Sequence, residues 1–234
     1  MTSHLSEPIL LAIDTSTEQG SVCLSIHDQT YSSEWLGAEK HVESILFHIK
    51  EILLQSNTSI EAISAIAFAQ GPGSFTGLRA GCGVTQGLSL AHDIPVIAVP
   101  TLLMLAEQVS KERVSVLLDA RMGQVYGACY RRTPQGWQEI SACALYQPDQ
   151  LDEAVLTTEV MVGSGVDLYQ DTLSTSSANT LPPALLGIKP HARWLIALAK
   201  DKWLRGELLS GHEAIPVYVR DKVALTTLER SQKS

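Results

Sequence analysis

The stretch GPGSFTGLRAGCGVTQG, residues 71–87, is the most informative part of the sequence for the fold, because it holds six glycines between two apolar runs. The run before it predicts a strand, and the pattern after it predicts a helix that begins near Thr76, with Ser74 or Thr76 as its N-cap. Each glycine inside a helix costs about 1 kcal/mol relative to Ala. Four of them come in pairs four residues apart, Gly77 with Gly81 and Gly83 with Gly87. Each pair forms a bare strip that another backbone can approach closely.

A glycine-rich turn between a strand and a helix also offers backbone N–H groups to a phosphate. A Walker loop needs Gly-Lys-Ser/Thr, whereas Gly77 is followed by Leu78 and Arg79. The dinucleotide fingerprint needs its third glycine three residues after the second, and the spacing of Gly73 and Gly77 is one residue too long. The stretch therefore predicts tight packing against a sheet, a second helix or another protein.

The pattern around this stretch predicts an α/β unit of order βββαβαβα. Its strands are expected at residues 9–14, 21–27, 30–36, 62–69 and 95–99. Its other helices are expected at 41–54, where apolar residues recur every three and four positions, and from Thr101 to about Ser110.

After Arg113 the opening pattern repeats, and Asp119 ends its strand as Asp14 ends the first. The repeat predicts strands at 114–121, 123–132, 137–146 and 160–165, a polar loop at 174–183 and a closing helix at 190–204. We therefore expect a duplicated fold with an N-terminal lobe at residues 1–110 and a smaller, degenerate C-terminal lobe at 111–234.

Composition excludes several classes of function. A net charge of −8 argues against nucleic-acid binding by this chain alone, because such binding needs Lys and Arg facing the phosphates. Four scattered cysteines without Cys-x-x-Cys spacing are typical of buried thiols in a reducing compartment. The first residues, MTSHLSEP, lack the features of a signal peptide. We expect a cytoplasmic protein without a membrane-spanning segment.

Four segments together resemble the TsaB family: AIDTSTEQGSVCL, GPGSFTGLRAGCGVTQGLSLA, DARMGQVYGACY and PVYVRDKVA. The resemblance implies an actin-like, Hsp70-like fold (ASKHA, RNase H-like) that is duplicated and has a reduced second lobe. It also implies a non-catalytic scaffold with no catalytic residues of its own. TsaB is a paralogue of TsaD, the catalytic subunit that makes threonylcarbamoyladenosine at position 37 of tRNA.

The resemblance predicts neither a metal nor a cofactor for this chain. The metal-binding histidines of TsaD correspond to about Thr101 and Leu105 here, and these side chains cannot replace imidazoles. The alternative pair, His41 and His48, is two helical turns apart, and His48 is expected to be solvated. A protease motif is also absent, since neither a nucleophile elbow nor His-Glu-x-x-His occurs.

The residues after the first predicted strand resemble the first phosphate loop of actin-like ATPases: Asp14, Thr15, Ser16 and Thr17. The second such loop normally carries glycines after its Asp, whereas Asp119 is followed by Ala-Arg-Met. We therefore interpret the first loop as vestigial, with a cap at a strand-to-turn corner and a residual ligand role both left open. The rival hypothesis is an actin-like ATPase or small-molecule kinase that acts through Asp14.

The resemblance implies binding to a TsaD-like catalytic paralogue and docking of a TsaE-like ATPase on the pair. The complex would transfer threonylcarbamoyl from its adenylate to N6 of A37 in tRNAs that read codons beginning with A, and tRNA would be met only through the complex. The two N-terminal helices are expected to form the heterodimer surface, and an isolated copy is expected to homodimerise. The candidate interface residues are Val42, Ile45, Leu46, Ile49, Leu53, Gly77, Ala80, Gly81, Val84 and Leu88. A place in the core is the open alternative for the heavier apolar stripe of the first helix: Val42, Leu46, Ile49 and Leu53.

Overall fold

Two five-stranded sheets form the framework of the computed structural model, which describes residues 7–37, 41–176 and 181–220. The first sheet contains β1 (Leu10–Asp14), β2 (Gln19–Ile26), β3 (Gln29–Leu36), β4 (Ala65–Gly71) and β5 (Val96–Pro100). The second contains β6 (Arg113–Asp119), β7 (Val125–Thr133), β8 (Gly136–Tyr146), β9 (Val160–Val162) and β10 (Ala184–Leu185).

The two sheets have the same strand order. The first is ordered β3-β2-β1-β4-β5 and the second, taken in the matching direction, β8-β7-β6-β9-β10. In each sheet the first three strands are antiparallel, and the last two run parallel to the central strand. The duplication predicted from the repeated strand pattern is confirmed.

The helices lie between and after the strands. They are α1 (His41–Gln55), α2 (Phe75–His92), α3 (Thr101–Glu107), α4 (Glu153–Leu156), α5 (Ser164–Leu168), α6 (Gln170–Ser176) and α7 (Ala192–Leu204). The Ser74 side chain caps α2 by accepting a hydrogen bond from the backbone N–H of Gly77, and α2 ends at Asp93 in a left-handed conformation.

The first sheet is covered on both faces, because successive residues of a strand point to opposite sides. On one face Leu11 and Ile13 of β1 pack against apolar residues of α1 and α2. On the other face Leu10 and Ala12 pack against α7. All four of these β1 side chains are at most 1% exposed, so β1 lies at the centre of the core.

The helix expected to close the second unit packs on the first sheet instead. Leu195 and Ala199 of α7 share a buried cluster with Leu10 and Ala12, and the backbone N–H of Ala192 donates to Ser21 Oγ on β2. On this face β1 and β4 contribute only alanine and leucine side chains to the buried cluster, and such an apolar face must be buried against another element. The strands of the first sheet precede residue 110 and those of the second sheet follow it. The division of the chain into two lobes at this residue stays a prediction.

The second unit departs in two further places from the sequence prediction. The strand expected at 160–165 ends at Val162, and α5 begins at Ser164. The polar loop expected at 174–183 includes the end of α6, and residues 177–180 lie outside the described part of the chain. Within the described ranges, none of the helices has the length and apolar character needed to span a bilayer.

Candidate functional site

The glycines of α2 let the helix pack directly on the turn after β1. We call residues 14–17 the first corner. A Cβ on Gly77 would collide with the backbone oxygen of Thr15, and a Cβ on Gly81 would collide with Thr15 Oγ1. A Cβ on Gly73 would likewise collide with the backbone oxygen of Ser16. Gly77 and Gly81 in the helix, and Gly73 just before it, are therefore glycines because the first corner occupies the space of their side chains.

Asp14, at the end of β1, is fully buried in the first corner. Its Oδ1 accepts the backbone N–H of Ser16 at 2.9 Å, and Oδ2 has no hydrogen-bond partner among the described residues. Burial raises the pKa of Asp14 to about 6, although the hydrogen bond from the backbone N–H of Ser16 lowers it. The carboxyl group is therefore partly protonated near neutral pH, unlike an exposed aspartate.

The hydroxyl groups of the first corner are mostly engaged within the chain. Thr15 Oγ1 donates to the carbonyl of Gly77 at 2.8 Å, and Thr17 Oγ1 donates to the carbonyl of Gln19 at 3.1 Å. Ser16 is 1% exposed, and its Oγ has no partner among the described residues. Among the described residues, only one of the three predicted phosphate-loop hydroxyls thus lacks an acceptor, and no cationic side chain pairs with Asp14.

The turn after β6, residues 119–122, repeats this geometry in a more polar setting, and we call it the second corner. Asp119 Oδ1 accepts a hydrogen bond from the backbone N–H of Arg121 at 3.0 Å. Asp14 Oδ1 accepts the corresponding bond from Ser16, also two residues further along the chain. The backbone N–H of Asp119 donates to Ser164 Oγ at 3.1 Å. Arg121 pairs with Asp119 at 3.7 Å and with Glu18 next to the first corner.

A cavity of about 840 Å³ lies between the two corners. Its walls include Ser16 from the first corner, Phe75 and Leu78 from the start of α2, and Leu118 with Met122 from the second corner side. It is lined by residues at or near the ends of the central strands of the two sheets. The volume falls within the range of small-molecule sites.

The second candidate surface is the outer side of the helix pair α1 and α2, which pack side by side on one face of the first sheet. On α1 the exposed apolar side chains are Val42, Leu46, Phe47 and Leu54, with 48–71% of their surface in solvent. On α2, Gly83 and Gly87 are exposed, and a Cβ on either would meet no atom within 4 Å. We call these six residues the outer face.

The structure divides the ten candidate interface residues into three groups. Val42 and Leu46 are exposed on the outer face. Leu53, Ala80 and Leu88 are partly buried against the core. The remaining five are buried: Ile45, Ile49, Gly77, Gly81 and Val84.

Five of the ten candidates are therefore packed inside this chain, and the interface role of the set stays a prediction. Ile45, Ile49 and Val84 belong to the core between the helices and the first sheet, because they lie on the sheet side of α1 and α2. Gly77 and Gly81 face Thr15. The exposed glycines of α2 are instead Gly83 and Gly87, each six residues further along the helix.

Sequence reasoning overlooked two groups of residues. Phe47 and Leu54 of α1 are seven residues apart, so they form a second apolar stripe that the spacing alone could have indicated. The second group is a cluster at the start of α2: the Arg79 guanidinium lies 3.8 Å over the Phe75 ring, and its Nε donates to the Tyr218 hydroxyl at 2.8 Å. No local signal links residues 139 positions apart.

The described residues contain no group of three or more His, Cys, Asp and Glu side chains placed to hold a metal. Thr101 and Leu105, which the resemblance places near the counterparts of metal ligands, are fully buried. His48 is not solvated as expected: it stacks on Trp35 with ring centroids 4.8 Å apart and hydrogen bonds with Ser33. The side chain of His41 lies outside the described part of the chain.

Two sheets of identical order define a duplicated α/β fold of the actin-like class (ASKHA, RNase H-like). Its second unit is reduced, since the helix after β9 has 5 residues where the helix after β4 has 18.

The family model described as "TsaD: tRNA N6-adenosine threonylcarbamoyltransferase" matches residues 35–227. The "tRNA threonylcarbamoyladenosine biosynthesis protein TsaB" of Escherichia coli (strain K12) is 37% identical over 224 residues, or 92% of this chain and 96% of that relative. The chain belongs to the TsaB family.

Two further comparisons agree with this membership. The protein of the same name from Haemophilus influenzae (strain ATCC 51907 / DSM 11121 / KW20 / Rd) is 32% identical over 92% of this chain and 94% of its own length. The solved structure "YeaZ from Pseudomonas aeruginosa" superposes with a TM-score of 0.80 at 32% identity, covering 90% of this chain and 99% of that one. The resemblance noted from the four sequence segments is confirmed.

Proposed function

We propose that this chain is a non-catalytic subunit in the biosynthesis of threonylcarbamoyladenosine in tRNA. It binds a TsaD-like catalytic paralogue through the outer face of α1 and α2, and a TsaE-like ATPase docks on the pair. The complex transfers threonylcarbamoyl from threonylcarbamoyl-AMP to N6 of A37 in tRNAs reading codons that begin with A. The chain works in the cytoplasm, meets tRNA only through the complex, and pairs with a second copy when the paralogue is absent.

The outer face is the single observation that carries the proposal. Four large apolar side chains on one helix are exposed beside two glycines that leave the neighbouring helix bare. Large apolar side chains exposed on one helix are typical of a protein interaction site. Bare glycines allow the backbone of a partner helix to approach closely. The paralogue is the partner of choice because the TsaD family model matches most of this chain, so two similar helix pairs could pack in a pseudo-symmetric bundle.

The proposal of a non-catalytic role rests on the state of the two corners. In the first corner Thr15 and Thr17 donate to carbonyls of this chain, and Gly77 and Gly81 of α2 pack directly on Thr15. In the second corner the residues after Asp119 are Ala120, Arg121 and Met122 instead of glycines. Both features disfavour the rival role of an ATPase or kinase acting through Asp14.

A binding experiment tests the outer face. Leu46→Asp places a charge at a side chain that is 48% exposed, so the isolated chain should fold while its affinity for the paralogue falls by about tenfold or more. Leu204→Asp is the matched control, because Leu204 is 77% exposed at the end of α7 on the opposite face of the first sheet. Equal affinities of both variants and the unchanged chain, measured by analytical ultracentrifugation, would disprove the proposed interface.

A reconstituted modification assay tests the role. Threonylcarbamoyl-AMP synthase, TsaD, TsaE and tRNA are combined with and without this chain. We expect modification to require the chain and to persist with Asp14→Asn, which keeps the size of the buried side chain. Modification without the chain contradicts the subunit role, and turnover of ATP by the chain alone that is lost in Asp14→Asn establishes the rival role.

A further inference from the structure

An exposed strip of α2 continues from the outer face to the first turn of the helix. The exposed residues that recur at every fourth position are Phe75, Arg79, Gly83 and Gly87. Positions four apart differ by about 40° around a helix of about 3.6 residues per turn, so these residues share one side of α2. Arg79 is the only Lys, Arg, Asp or Glu residue of this helix. The strip therefore carries a single permanent charge, one turn away from the outer face.

The chain after α7 places a tyrosine beside this strip. The backbone N–H of Val217 donates to the carbonyl of Gln70 at 2.8 Å, so the segment lies next to the end of β4. A Cβ on Gly71, whose φ is +115°, would lie 2.7 Å from the Val217 oxygen, so only glycine admits the segment at this point. The next residue, Tyr218, meets the first turn of α2, where its ring centroid lies 5.5 Å from that of Phe75.

The two aromatic side chains hold Arg79 in place. Its guanidinium carbon lies 3.8 Å from the Phe75 ring centroid and 5.8 Å from that of Tyr218, within the range of cation–π contacts. Its Nε donates to the Tyr218 hydroxyl at 2.8 Å. We call Phe75, Arg79 and Tyr218 the arginine cluster. Because these contacts orient the guanidinium in the chain alone, less entropy is lost when a partner binds it.

The arginine cluster leaves the far end of the guanidinium available. Among the described residues, Arg79 makes no ion pair and its two Nη atoms have no hydrogen-bond partner. Arg121, Arg132 and Arg205, in contrast, each pair with a glutamate of this chain. The two Nη groups of an arginine can donate together to the two oxygens of a carboxylate. The arrangement therefore suits a carboxylate that this part of the chain does not supply.

The surroundings of Arg79 favour a protein partner over a nucleic acid. Phe75 and Tyr218 are themselves exposed, and Ile215 and Val217 are exposed apolar side chains of the segment that carries Tyr218. An arginine set among aromatic and apolar side chains has the composition of the residues that dominate protein interfaces. Phosphate backbones are bound by several cations, whereas the arginine cluster contains one, in a chain of net charge −8.

We propose that Arg79 is the charged anchor of the contact with the TsaD-like paralogue and binds the carboxylate of an Asp or Glu side chain of that partner. The inference rests on the proposed function, and it extends the contact from the outer face along α2 to the arginine cluster. Both Nη groups donate to the carboxylate. Tyr218 is a positioning residue that holds Nε, and the apolar side chains around the pair exclude water from it.

Analytical ultracentrifugation of the full chain with the TsaD-like paralogue tests the anchor. Arg79→Met keeps a long apolar side chain on Phe75 and removes the charge, so the affinity should fall about tenfold. Arg79→Glu places a like charge against the partner's carboxylate, and it should lower the affinity about tenfold further. Arg193→Met and Arg193→Glu are the matched controls, because Arg193 is exposed at the start of α7, which covers the other face of the first sheet. Both should bind as the unchanged chain does.

Leu46→Asp, measured alongside, separates this inference from the proposed function. If Leu46→Asp weakens binding while Arg79→Met binds like the unchanged chain, the outer face is retained and the anchor is wrong. Equal losses in Arg79→Met and Arg79→Glu would mean that the partner presents no acidic group, and they overturn the proposal. No binding by the unchanged chain would overturn the proposed function and this inference together.

Tyr218→Phe tests the positioning role, because it keeps the ring and removes the hydroxyl that holds Nε. The affinity should fall about threefold in the unchanged chain and should not fall further in Arg79→Met. The same loss in both chains would overturn the role given to Tyr218. If Arg79→Met leaves assembly intact and weakens the retention of tRNA by the assembled complex, the cluster binds a phosphate and the proposal is wrong.

Discussion

The first corner and the second corner each follow the central strand of a sheet, and in each an Asp carboxylate accepts the backbone N–H two residues on. They differ in what covers them. The first is pressed under an 18-residue helix, and Asp14 is fully buried. The second lies beside a helix of 5 residues, and the Asp119 side chain keeps 15% of its surface in solvent and pairs with Arg121.

Glycines make contact with the central strand in both units, and here too the two units differ. In the first unit Gly77 and Gly81 of α2 meet Thr15, one residue beyond β1. In the second unit Gly163 and Gly165, around the start of α5, meet Leu117 within β6. In both units the backbone near the start of this helix thus lies close to the central strand or the turn after it, although the helix has 18 residues in the first unit and 5 in the second. The comparison teaches that the first corner is packed under α2 and meets the cavity through Ser16 and Thr17, whereas all four residues of the second corner line the cavity.

The largest effect that would break this comparison is expected at Gly77. Gly77→Ala places a methyl group on the backbone oxygen of Thr15, which cannot rotate away, so we expect a loss on the order of 3 kcal/mol in the free energy of unfolding. Gly83→Ala on the open side of the same helix should raise it by about 0.5–1 kcal/mol. Urea unfolding of both variants measures the contrast, and similar stabilities would refute the close packing at Thr15.

The corresponding change in the second unit should cost less. A Cβ on Gly165 would lie 2.9 Å from Val125 Cγ1 and 3.0 Å from the backbone carbon of Leu117. A side-chain methyl group can shift further than a backbone oxygen, so Gly165→Ala is expected to lose about 1–2 kcal/mol. A loss as large as that of Gly77→Ala in the same urea titration would mean that both corners are packed equally tightly.

The difference between the corners also explains how far the sequence could predict the molecule. The repeated strands and the Asp at the end of each central strand are local patterns, and both predicted the duplication. Which α2 glycines face the sheet cannot be read from the local sequence. Gly77 and Gly83 differ only in that Gly77 lies on the side of the helix that packs against the first corner. The position of α7 on the first sheet depends on contacts with β1, some 180 residues earlier, and no spacing in the chain records it.

The buried carboxyl of the first corner should make stability depend on pH. Burial raises the pKa of Asp14 to about 6 in the folded chain, against about 3.9 when unfolded. The folded chain therefore holds the proton longer, and its stabilisation is full below about pH 4 and lost as pH rises to about 6. The loss should be on the order of 2–3 kcal/mol, from 1.36 kcal/mol per unit of pKa.

Asp14→Asn tests this prediction against the second corner. In this variant the free energy of unfolding should change little between pH 4 and pH 6, whereas it should fall in the unchanged chain. Urea unfolding at intervals of about half a pH unit measures the difference. Asp119→Asn removes a carboxylate that is partly solvated and paired with Arg121, and it should leave the decrease in place. If Asp14→Asn retains the full decrease, the titrating group lies elsewhere and the contrast in burial has no energetic consequence.

The smallest effect is expected for the ion pair that joins the two corners, Glu18 with Arg121. Both side chains are more than 70% exposed, so water and salt screen the attraction, and a double-mutant cycle with Glu18→Gln and Arg121→Gln should give a coupling below about 1 kcal/mol. The coupling should shrink further at about 1 M salt, where the Debye length falls to about 3 Å. A coupling well above this limit would mean that the two corners are stabilised as a unit, and the effects at Gly77 and Gly165 would then no longer report on each corner separately.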